Sequence, residues 1–230
     1  MLVPVSERLQ QMDHDRVVER IWRKDHTVWK DGATEVADRR GWLTASDLMH
    51  ERMGELVAFA DQAAADGFET AVLLGMGGSS LAPEVFMRTF GAADGALELI
   101  VLDTTHPATI ERVVGQLELG TTLFIVASKS GGTTETLSHL AFFWDKVPNG
   151  TQFVAITDPG TSLETLARER GFRAVFVNPD DIGGRYSALS YFGLVPAALF
   201  GAPLHEVLDR AEEMQTASER TIPAAQSPGA

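Results

Sequence analysis

The sequence predicts an α/β fold, a doubly wound five-stranded parallel sheet with flanking helices at its amino-terminal and carboxyl-terminal ends. Three observations carry that expectation. Five apolar runs of strand length begin at Ala71, Leu97, Leu123, Gln152 and Arg173, with helix-length amphipathic stretches between them. Successive runs start 21 to 29 residues apart, which suits strand–helix crossovers and is too long for hairpins. The runs AVLLG, LELIVLD, LFIVAS, QFVAITD and RAVFVN are almost continuously apolar, as strands covered on both faces are.

Along the chain, Ser6 to Lys24 reads as one amphipathic helix with apolar Leu9, Met12, Val17, Val18 and Ile21. A polar connector follows, KDHTVWKDGATEVADRRGW, whose Trp29 and Trp42, like the methionines, are expected in the core. Ser46-Asp47, with Glu51 behind them, opens a helix that runs to Asp66. Between the strand runs the helices are Ser80–Phe90, Pro107–Leu117, Thr133–Lys146 and Ser162–Arg170. Pro83 and Pro107 take first-turn positions, where a missing N–H costs little. Two more helical segments, Ser187–Phe200 and Pro203–Arg220, follow a Gly-rich turn, and the closing TIPAAQSPGA reads as poor in structure. The expected units are a helical segment over 1–70, a ligand-binding domain over 71–200, and a helix and tail over 201–230.

Composition narrows the function. The 230 residues carry 19 Lys and Arg against 32 Asp and Glu, a net charge of −13. Polyanions need a dense basic face, so nucleic acid and anionic membrane are excluded as general partners, whereas a small anion needs only a few local donors. Cysteine is absent, which removes disulfides, thiolate catalysis and cysteine-ligated zinc. The most apolar stretch, Ala188 to Leu204, is interrupted by Gly193, Pro196, Gly201 and Pro203 and is shorter than the ~20 residues of a membrane span, so it reads as a buried helix. No secretory signal is recognised at the amino end, and a cytoplasmic setting is expected. None of the six histidines stands at a metal-type spacing, so no metal site is read.

Ligands of open α/β sheets bind beyond the carboxyl ends of the strands, where the connection direction reverses. If the strand order is 2-1-3-4-5, the loops after the first and third runs flank that point. The first is GMGGSS, Gly75 to Ser80, whose glycines permit close backbone approach; alone it is equally a tight strand–helix turn. The second is SKSGGTTET, Ser128 to Thr136. It combines the hydroxyls of Ser128, Ser130, Thr133 and Thr134, free N–H groups around Gly131-Gly132, and one cation, Lys129, all at a helix start, which suits a phosphate dianion. Capping alone would also explain its hydroxyls. A third segment, DDIGGRYSALS, presents Arg185 on a Gly183-Gly184 turn, either to an anion or to a structural partner at Asp180 or Asp181. Glu135 reads as a helix-dipole acid, His106 as a turn residue, and His139 as packed or exposed rather than catalytic.

With LLGMGGSSLAPEVF, VLDTTHPATI, FIVASKSGGTTETL and IGGRYSALS in view, the chain resembles the phosphoglucose isomerase (glucose-6-phosphate isomerase) family of the SIS-domain superfamily, a flavodoxin-like fold. The resemblance runs from about Ala71 to Phe200. KDHTVWK and GWLTASDLM also resemble the isomerase part of fused transaldolase/phosphoglucose isomerases. It implies that Ser128, Lys129, Ser130 and Thr133 clamp a phosphate, that Gly77, Gly78, Ser79 and Gly184 line the sugar side, and that Arg185 is catalytic, stabilising an enediol(ate). The implied reaction interconverts glucose 6-phosphate and fructose 6-phosphate, with hexose 6-phosphate as partner and neither metal nor organic cofactor. The family places its glutamate base, ring-opening histidine and a late lysine in a second SIS domain, and no segment here matches them. The resemblance therefore implies that this chain alone is inactive, and that the full-length chain forms a homodimer. Gly131-Gly132 replace bulkier family residues and imply a roomier sugar pocket. The alternatives are a regulatory SIS module that senses a sugar phosphate, and another phosphosugar isomerase of dual glucose/mannose specificity.

Overall fold

A computed structural model describes residues 4 to 229. Five strands, β1 (Thr70–Gly75), β2 (Glu98–Leu102), β3 (Thr122–Ala127), β4 (Phe153–Thr157) and β5 (Ala174–Val177), form one sheet in the order β2-β1-β3-β4-β5, and every pairing is parallel. The direction of winding reverses between β1 and β3, whose ends are level, with Gly75 opposite Ala127. The two loops singled out by composition therefore leave the sheet side by side.

Alternation along the strands divides the core in two. Leu73, Leu123, Ile125, Val154 and Ile156 face α3 (Ala45–Ala65), α8 (Tyr191–Leu199) and α9 (Leu204–Ala217), with Met49, Leu56, Phe192 and Leu208 buried among them. Val72, Leu74, Phe124, Val126 and Phe153 face the other way, against Val113 of α5 (Pro107–Val114), Phe143 of α6 (Thr134–Lys146) and Leu163 of α7 (Ser162–Glu169). α4 (Leu81–Phe90) connects β1 to β2 and contributes Phe86 and Met87 to the first face. All nine residues of α8 are buried, Pro196 included, and the Ser190 hydroxyl caps the helix by accepting from Phe192 N–H at 3.3 Å. The helix thus starts at Tyr191, four residues later than expected. The isolated apolar run is explained by this central position under the sheet.

The amino-terminal segment differs from its expectation. Ser6 to Lys24 is not one helix but two, α1 (Val5–His14) and α2 (Val17–Trp22), broken at Arg16, which takes a left-handed φ of 52°. The amphipathic stripe is real, but neither helix has a fully buried residue, so little packing energy opposes the break. Trp29 and Trp42 are 49% and 38% exposed, not core, because the connector that carries them runs over the surface. The tail also departs from its reading: Ala224 is 2% exposed and its N–H donates to Asp13 Oδ1 at 2.6 Å, which ties residues 224–226 back to α1.

Candidate active site at the β1–β3 switch point

The loop after β1 is a single 3-10 turn, Gly77–Ser79, with Gly77 at φ 56°, where a β-carbon would be strained. Ser80 is fully buried and its hydroxyl donates to the Gly77 carbonyl at 3.1 Å, so it holds the turn rather than offering itself to a ligand. Gly78 is pressed against the third segment: a β-carbon built on it would fall inside the Gly184 carbonyl. The Ser187 hydroxyl lies 3.1 Å from the Gly78 carbonyl and 2.8 Å from that of Gly184, and joins the two turns.

The loop after β3 folds on itself. Ser128, 2% exposed, donates its N–H to Ile156 of β4 at 3.0 Å, and its hydroxyl sits 2.9 Å from that of Thr133. Thr133 is the N-cap residue of α6 but makes no side-chain cap, because its hydroxyl is turned to Ser128. The first-turn N–H groups of α6 therefore keep their partial positive charge beside the two hydroxyls. Ser130 is exposed, and its hydroxyl accepts from Gly132 N–H at 3.3 Å. Gly131 has a φ of 67° and its missing β-carbon would lie 2.5 Å from that of Thr161. The space freed by that glycine is filled by the loop after β4, whereas Gly132 faces open space. A side chain would therefore find space at Gly132 and none at Gly131.

Lys129 is not a free surface lysine. Its ammonium pairs with the Asp158 carboxylate and donates to the Asp180 carbonyl at 3.1 Å. Asp158 follows β4 directly, and burial raises its carboxyl above the ordinary value while the Lys129 ammonium opposes that rise. Asp158 lies at the candidate site through its contact with Lys129 and was not singled out by the motif reading, nor was the buried Asn178 that follows β5. The terminal Asp of QFVAITD stood at a strand's carboxyl end and could have been found by the same positional rule.

Arg185 lies in a 3-10 turn, Gly184–Tyr186, and its guanidinium is exposed with no ion-pair partner among the described residues. The structural role offered by Asp181 is not taken up, since that carboxylate pairs with Lys24 at 3.0 Å. The amino-terminal connector braces this turn from outside. Gly41 N–H donates to the Asp181 carbonyl at 2.8 Å, Arg40 and Ile182 form an antiparallel bridge, and Trp42 stacks on Tyr186 with ring centroids 5.8 Å apart. His139 is 1% exposed, and its Nε2–H donates to the Thr104 carbonyl at 3.0 Å, joining α6 to the loop after β2. Burial lowers its pKa and so favours the neutral imidazole that makes this bond. Glu135 is exposed in the first turn of α6.

The arrangement offers an anion two hydroxyls, a helix start and a tethered ammonium, with a guanidinium on the adjoining loop. Comparison with known proteins gives this chemistry a context. The family model described as phosphoglucose isomerase matches residues 11–226. A glucose-6-phosphate isomerase of Acaryochloris marina is 38% identical over 174 residues, 71% of this chain and 33% of the relative. The chloroplastic glucose-6-phosphate isomerase 1 of Arabidopsis thaliana is 35% identical over 195 residues, 77% of this chain and 32% of its own. The chain therefore spans about a third of the length of these relatives. Among solved structures, a hypothetical protein from Thermus thermophilus superposes with a TM-score of 0.80 at 28% identity, over 97% of this chain and 52% of that one. A glucose-6-phosphate isomerase from Chlamydia trachomatis shares the fold, with a TM-score of 0.78 at 24% identity, over 96% of this chain and 47% of its own.

Proposed function

The chain belongs to the phosphoglucose isomerase family, and from that membership we propose that it supplies the phosphate-binding half of a site for glucose 6-phosphate/fructose 6-phosphate isomerisation. The observation that carries this reading is that the loop with the Ser128–Thr133 hydroxyl pair and the turn in contact with Gly184, beside Arg185, leave the adjacent strands β3 and β1. Ser128, Lys129, Ser130, Thr133 and the α6 N-terminus hold the phosphate. The Gly77–Ser79 turn and Gly184 line the sugar. Arg185, which makes no ion pair among the described residues, is available to the oxyanion of an enediolate as the C2 proton is moved to C1. Residues 71–200 form the ligand-binding unit, residues 1–70 brace it, and residues 201–230 lead on from it.

No glutamate of this chain is assigned as the base. Hexose 6-phosphate is bound by the 230 residues and turned over only when the remaining family segments are supplied, as a homodimer in a cytoplasmic setting. Calorimetry with fructose 6-phosphate tests the binding half: Lys129→Ala with Thr133→Ala should weaken affinity more than about tenfold, and unchanged affinity sinks the assignment. A coupled isomerase assay tests the second half, and family-level turnover by these 230 residues alone would refute it. The regulatory alternative is not favoured, since the matched relatives are named as isomerases.

A further inference from the structure

Lys129 carries the only positive charge in the loop after β3, and that charge is already paired. An ammonium has three N–H groups. One meets the Asp158 carboxylate and one the Asp180 carbonyl, which leaves one for a ligand above the loop. The backbone adds a further tie, from Asp158 N–H to the Lys129 carbonyl at 3.2 Å. The side chains of Asp158 and Lys129 are 14% and 28% exposed, so water and salt screen the pair only in part. Asp158 Oδ1 is buried with no hydrogen-bond partner among the described residues, and the carboxylate is stabilised chiefly by this lysine, with a smaller contribution from the Asn178 side chain.

A lysine and a carboxylate in contact are close to neutral as a unit. An anion arriving at Ser128, Thr133 and the α6 N-terminus meets an ammonium whose field is offset by the carboxylate behind it. The Asp180 carboxylate adds to that negative background. Among the described residues Arg185, on a different loop, makes no ion pair, and a ligand spanning both loops gains more from it than a bare phosphate seated at Ser128.

We infer that Asp158 is a specificity-determining residue: by neutralising Lys129 it withholds attraction from bare anions, so that tight binding requires an anion that also carries a sugar. This rests on the reading of the Ser128–Thr133 loop as a phosphate clamp. Affinity is then governed by contacts that only a sugar phosphate makes, with the Gly77–Ser79 turn and Arg185.

The test is calorimetric titration of the 230-residue chain with inorganic phosphate and with fructose 6-phosphate, as wild type, Asp158→Asn and Asp158→Glu. Removing the carboxylate should raise affinity for inorganic phosphate about tenfold and for the sugar phosphate by less, so that discrimination falls. Asp158→Glu should keep the wild-type ratio. Wild-type binding of fructose 6-phosphate with an unchanged ratio in Asp158→Asn overturns this inference and leaves the clamp standing. A wild type that binds neither anion overturns the clamp, and this inference with it. Should Asp158→Asn not fold, Lys129→Met is compared with Lys129→Met/Asp158→Asn. The double variant should bind phosphate at least about fivefold more tightly, because the single one leaves a bare carboxylate in the site; equal affinities overturn the inference.

Discussion

The carbonyl of Gly184 occupies the space where a side chain on Gly78 would lie. The turn after β1 and the turn that presents Arg185 are thereby in backbone contact, and the Ser187 hydroxyl spans both. Gly78→Ala should force the Arg185 turn outward and cost about 2 kcal/mol of stability, with a loss of hexose-phosphate affinity. Gly77→Ala, in open space but at positive φ, should cost about 1 kcal/mol and leave the Arg185 turn in place. Urea unfolding and calorimetry on the two variants separate these outcomes, and equal effects would contradict the contact.

Arg185 is exposed and makes no ion pair among the described residues. Arg185→Ala should therefore change stability by less than about 0.5 kcal/mol while lowering affinity for fructose 6-phosphate. A large drop in melting temperature would mean that the guanidinium has a structural role after all.

Thr133 spends its hydroxyl on Ser128 instead of capping α6. Thr133→Val keeps the shape and removes that oxygen. The Ser128 hydroxyl, on a residue 2% exposed, then keeps only the long 3.4 Å bond from the Thr133 backbone N–H, at a cost of about 1 kcal/mol. Fructose 6-phosphate should bind about tenfold more weakly, with the loss read by calorimetry.

His139 provides a pH prediction. Its pKa is lowered from 6.5 chiefly by burial, so the unfolded chain takes up a proton that the folded chain refuses. Its contribution to stability is full above about pH 6.5 and is lost as pH falls from there toward the lower folded value. His139→Gln can still donate to the Thr104 carbonyl but does not titrate. Urea midpoints at pH 7.5, 6.0 and 5.0 should fall less steeply for the variant than for the wild type; parallel curves would remove His139 from the acid limb.

The strands and their parallel pairing were legible because continuous apolar runs at crossover spacing are a local signal, whereas their order entered only as a supposition that the sheet then matched. Ser128, Lys129, Thr133 and Arg185 stood out as candidates because they lie in glycine-rich loops at strand ends, although capping and turn formation explain such residues equally well in sequence alone. What escaped was set by which strands become neighbours. Asp158 matters only because β4 lies beside β3, which brings its carboxylate to Lys129. Trp42 looked like core by composition, yet it stacks on Tyr186 at the surface. The break at Arg16 and the docking of Ala224 on Asp13 are likewise decided by packing, where a weakly buried amphipathic stripe can bend at little cost.

Ser187 reaches Gly78 across 109 residues of sequence, and Lys129 reaches Asp180 across 51. Such contacts close late and slowly, since long stretches of chain must be ordered first. A strand slipped by one position would carry its loop away from the others, and the anion would have nothing to grip. If a ligand is held by these loops as proposed, its binding should be linked to global unfolding rather than to the opening of any one loop. A molecule seated at Ser128 should slow hydrogen exchange in strand amides far from it, and in doing so it proofreads the register of the sheet.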